Sequence, residues 1–71
     1  MKAKYIIIEG GHSILFPEEI RHDTFKDIGK IEAAGFVSVC CGKIITYGDS
    51  LSLGISSRPG DAEIIEKGIE V

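Results

Sequence analysis

The chain predicts an α+β domain: a mostly antiparallel sheet of about five short strands with a C-terminal helix packed on one face. Three observations carry that expectation. Gly35–Ser56 reads as three short strands joined by tight turns, Lys4–Glu9 is a β-branched and aromatic run, and Ala62–Ile69 has apolar residues at helical spacing. At 71 residues there is room for one domain, spanning 1–71. A core of that size supplies a thin margin of stability, roughly 3–5 kcal/mol.

Lys4 to Glu9 favours an extended strand, and its apolar residues fall on both faces, Tyr5 and Ile7 against Ile6 and Ile8. Cover on both sides is the expected consequence. Gly10-Gly11-His12-Ser13 reads as a turn, and Ile14-Leu15-Phe16 as the returning strand, which Pro17 stops because it has no N–H for the ladder. Asp23 is a candidate N-cap for a short helix Thr24 to Ile28, closed by Gly29. Lys30 to Gly35 reads as a linker or a lead-in, and everything before Gly35 as a sheet edge and a cover.

After Gly35 the alternation sharpens. Val37 and Val39 face one way, Phe36 and Ser38 the other; Cys41-Gly42 suits a two-residue turn, and Lys43 to Tyr47 is the partner strand. Gly48-Asp49 is the next turn. Ser50 to Ser56 alternates aliphatics with serines and glycine, the pattern of a strand with one buried and one wet face. Ser57 is positioned to cap the last helix, with Pro59 in its first turn. Ala62, Ile64, Ile65, Gly68 and Ile69 then fall in an arc of roughly 160°, opposite the acidic residues.

Composition excludes several classes. The only cysteines, Cys40 and Cys41, are neighbours; in a strand they diverge, and a bridge between them would staple nothing distant. A disulfide scaffold is therefore out, and a reducing cytoplasm is the expected compartment. The apolar run after Lys4 ends at Glu9, too short for a leader core or a membrane span. Net charge is −3, with four acids against one base from Asp61 onward and seven against seven before it, which argues against nucleic acid.

Candidate chemistry is sparse. Tyr47-Gly48-Asp49-Ser50-Leu51 contains the letters of the nucleophile block in the GDSL (SGNH) hydrolases, where Ser50 would need a histidine late in the chain. None follows His22, the Gly and Asn blocks cannot be placed, and the chain is too short for the parallel sheet of that class. Turn chemistry is the better account of these letters. His12 and His22 lie ten residues apart and the cysteines diverge, so no metal-ligand spacing emerges and no cofactor is expected. Pairings of Ser13 with His22-Asp23, or of Cys40 with His12, have no support in spacing. Ser56, Ser57, Arg58 and Gly60, at a helix N-terminus, form a candidate anion or nucleotide site, with a plain helix cap as the competing account.

Three segments together carry a resemblance: Ile14-Leu15-Phe16-Pro17-Glu18 through His22, Ala34-Gly35-Phe36-Val37, and Tyr47 through Ile65 with its Ser57-Arg58-Pro59-Gly60-Asp61. They cover more than half of the chain, which resembles small prophage-encoded bacterial proteins of unknown function. Those carry an acidic residue where Gly60 stands, and its loss weakens a capping box from Ser57. The resemblance implies a phage or mobile-element accessory protein and brings no catalytic residue or substrate. With 44% apolar residues in so small a domain, the expectation is a non-enzymatic binding or assembly module acting through self-association or a protein partner.

Overall fold

The computed structural model describes residues 2–69. Four antiparallel strands form one sheet in the order β2-β1-β3-β4: β1 Lys2–Ile8, β2 His12–Phe16, β3 Ile31–Cys40 and β4 Lys43–Tyr47. A separate two-stranded ribbon pairs β5, Asp49–Ser50, with β6, Ile55–Ser56, and the helix α1 spans Asp61–Ile69. The architecture is the expected α+β one, with the helix on one face of the sheet.

β1 is an interior strand, not an edge. It pairs with β2 on one side and β3 on the other, with Tyr5 opposite both Leu15 and Gly35. Its alternation sends Ala3, Tyr5 and Ile7 to the helix side, where they pack with Ala33, Val37 and Ile65. Ile6 points the other way, against Phe16 and Ala34. The expected double cover is therefore real. Its second layer is built by Phe25 of a 3₁₀ turn and by Leu53 and Ile55 of the ribbon.

The segment between β2 and β3 differs from expectation in part. Of the two readings of Lys30–Gly35 the lead-in holds: Ile31–Gly35 is the first half of the longest strand, where a bulge between the Ile7–Ala33 and Ile8–Ile31 pairs leaves Glu32 as an extra residue. The helix expected at Thr24–Ile28 is a single 3₁₀ turn, His22–Phe25, and Asp23 does not cap it: its carboxylate pairs with Arg21. Phe25 packs on Phe16 while Ile28 stays exposed, so the two share no buried face.

Ser50–Ser56 is not one strand. Gly54 N–H donates to the Ser50 carbonyl at 2.8 Å and Leu53 N–H to the Ser50 hydroxyl, which folds the segment into a tight turn. Gly54 takes φ +67°, open to glycine at little cost, and Leu51 is left 91% exposed.

α1 buries Ile65 and half-buries Ala62 and Ile64, as the periodicity predicts; the side chain of Ile69 lies outside the described residues. The acidic side is not all solvated, because Asp61 is fully buried.

Candidate protein-binding face

Of the four residues read as an anion site, Arg58 and Gly60 stand at the entry to α1 while Ser56 and Ser57 belong to the ribbon side, and Asp61 supplies the anion from within the chain. Its carboxylate accepts from Arg58 N at 2.7 Å, from Arg58 Nε at 3.1 Å and from the Tyr5 hydroxyl at 2.5 Å. Ser57 does not cap the helix: its hydroxyl donates to the Gly48 carbonyl at 2.8 Å, and its N–H bonds the same oxygen. Gly60 stands immediately before α1, with its carbonyl accepting from Ile64 N–H, and Ser56 ends the ribbon in an exposed position. Burial, then the bond to Asp61 and its charge, raise the Tyr5 phenol well above its ordinary value; the hydroxyls of Thr46 and Ser57 act in the opposite sense. The carboxylate that neutralises this helix end was legible only as a favourable charge near the dipole. A buried tyrosine hydroxyl at the centre of β1, needing a partner, is the signal that could have found it.

Ser50 is buried, with its hydroxyl 3.4 Å from that of Ser52 and accepting from Leu53 N–H. His22 is buried too. Its Nε2 donates to the Gly35 carbonyl at 2.8 Å, and its ring meets Phe16 and Phe36 edge-on at 5.5 and 5.7 Å. His12 opens β2 and is exposed, paired across the ladder with Ile8.

The outer surface near β4 has a different character. An open cleft of about 290 Å³ is lined by Lys4 and Phe36 of the sheet, by Arg21 and His22 at the 3₁₀ turn, and by Asp49, Leu51 and Ser52 of the ribbon and its turn. Phe36 stacks on its cross-strand neighbour Tyr47, ring centroids 5.8 Å apart, which carries the apolar surface from the cleft onto β4. There Ile45 is 54% exposed and Tyr47 41% exposed, on the face away from α1. Among the described residues β4 pairs only with β3, so its outer backbone groups face outward as an open edge. This arrangement can do two things: accept another extended strand and bury aliphatic and aromatic side chains.

No family model, curated protein or solved structure matches this chain. Among the described residues no helix is long and apolar enough to cross a membrane.

Proposed function

We propose that the chain is a non-enzymatic contact module that pairs with a second copy of itself along β4. Both β2 and β4 end the sheet, and the observation that carries this reading is that β4 is the edge strand with large apolar side chains exposed on it, Ile45 and Tyr47. An antiparallel two-fold pairing centred on Ile45 sets Ile45 against its symmetry mate and Lys43 against Tyr47 of the other copy, so the strand's one charge meets no like charge. The two sheets then continue into one, and both Ile45 side chains leave water together. A strand of five residues makes a small interface, so association in the micromolar range is expected. The resemblance to prophage-encoded proteins supports an assembly or accessory role, and the free thiols suit a reducing cytoplasm.

Sedimentation equilibrium over a concentration series tests it, with Ile45→Lys as the variant. The native chain should shift from monomer to dimer with concentration, while Ile45→Lys, which sets two like charges face to face, stays monomeric with unchanged far-UV dichroism. A native chain that stays monomeric into the high micromolar range, or a variant that dimerises equally, overturns the pairing.

A further inference from the structure

We propose that Cys40 and Cys41 form a two-thiolate binding site for a thiophilic metal ion of the zinc–cadmium class. Adjacent residues in a strand send their side chains to opposite faces, and on that ground the two thiols were expected to diverge. They do not. Cys40 is the last residue of β3, and Cys41 turns out of the strand at φ +55°, followed by Gly42 at φ +77°. Consecutive positive φ values are those of a type I′ hairpin turn. The turn brings the two sulfurs to 3.5 Å, with both residues exposed at the tip of the β3–β4 hairpin.

The residue choice at that turn points to the thiol. The left-handed region costs an L-residue about 1–2 kcal/mol, and asparagine, aspartate or glycine normally fill this position. Cys41 is the one non-glycine residue of positive φ among the described residues. Its side chain is exposed, and the contact given for it is the Cys40 sulfur.

Geometry separates metal binding from disulfide formation. Two thiolates on one tetrahedral ion at about 2.3 Å each lie about 3.8 Å apart, a few tenths of an ångström from the observed spacing. Disulfides usually join Cα atoms about 4.4–6.8 Å apart, whereas neighbours across a trans peptide sit at about 3.8 Å, so a bridge here closes a strained ring and chelation of an ion does not. Binding exchanges protons for metal: two thiols and one divalent ion give a dithiolate complex and two released protons. Among the described residues no third histidine, cysteine or carboxylate joins them, so the hairpin provides two positions and solvent or an external ligand completes the set. Lys43, paired across the ladder with Cys40, is the nearest charged neighbour along the hairpin and is exposed.

The test is a cadmium titration of the full, reduced chain with metal in excess, read by sulfur-to-cadmium charge-transfer absorption and by the Gly42 amide resonance. One ion per chain is expected, with the resonance moving in step. Cys40→Ser and Cys41→Ser should each weaken binding by about 100-fold through loss of the chelate, while leaving far-UV dichroism intact. Absence of the charge-transfer band, a Gly42 resonance that stays put, or either serine variant binding as tightly as the native chain would overturn the assignment.

Discussion

The hydroxyl of Tyr5, in the middle of β1, donates to the carboxylate of Asp61 at 2.5 Å, tying the centre of the sheet to the first turn of α1 across 56 positions of chain. Asp61 also holds Arg58 N and Nε, so one buried carboxylate organises the entry to the helix. Among the described residues every buried side-chain polar atom finds a partner, which is why a charge can sit there.

Tyr5→Phe should therefore cost more than the loss of an average hydrogen bond. The acceptor is charged and buried, and such a bond is worth about 1.5–3 kcal/mol. In a domain of this size that lowers the melting temperature by roughly 10 °C. Asp61→Ala removes the acceptor from three donors at once, and with so thin a margin the variant should be largely unfolded at room temperature. Thermal melts followed by circular dichroism decide this; an Asp61→Ala variant as stable as the native chain would show that the contact contributes nothing.

Alkaline stability follows from the same pair. The folded state raises the Tyr5 phenol above its ordinary value of 10.0, so native protein keeps a proton that the unfolded chain gives up. The contribution is fully present below that pH and is lost as pH rises above it, at about 1.4 kcal/mol per unit. Denaturant melts between neutral pH and the alkaline limit should show a steeper decline for the native chain than for Tyr5→Phe. Parallel declines would refute the linkage.

Gly35 is expected to resist substitution although its φ is ordinary. A Cβ there would lie 2.7 Å from the Tyr47 carbonyl oxygen and 3.2 Å from the Ser57 Cβ, and Ser57 is held by two bonds to Gly48. Neither neighbour is a flexible side-chain end, so Gly35→Ala should destabilise by about 1–3 kcal/mol through forced backbone shifts. Gly29→Ala, which meets open space, is the control and should leave stability within about 0.5 kcal/mol. Equal effects at the two positions would remove the steric argument.

Much of the fold was legible in local pattern. The β1 and β2 strands, the Cys41-Gly42 turn, β4 and the helix periodicity all follow from short-range propensity and alternation. The second half of the chain was harder. Ser50–Ser56 alternates like a strand, yet Ser50 satisfies Leu53 N–H with its own hydroxyl and folds the segment locally; alternation over seven residues does not distinguish the two. Likewise Phe25 and Ile28 share helical spacing, but Phe16 recruits only the former.

The candidate site was less legible than the fold. Residue order placed Ser56, Ser57, Arg58 and Gly60 together at a helix start, yet it could not say that Asp61 would turn inward to meet Tyr5 and take up the donors of Arg58. Nor could it show that β2 and β4 would be the two edge strands, because that depends on β1 inserting between β2 and β3.

Local chemistry alone determined the α+β class, the hairpin turn at Cys41-Gly42 and the apolar side of α1, since each depends on neighbours a few residues apart. Only the tertiary arrangement decided that Asp61 is buried and that β2 and β4 are the edge strands of the sheet. Those are properties of groups brought together from distant elements, and the order of residues encodes them only through the whole packed chain.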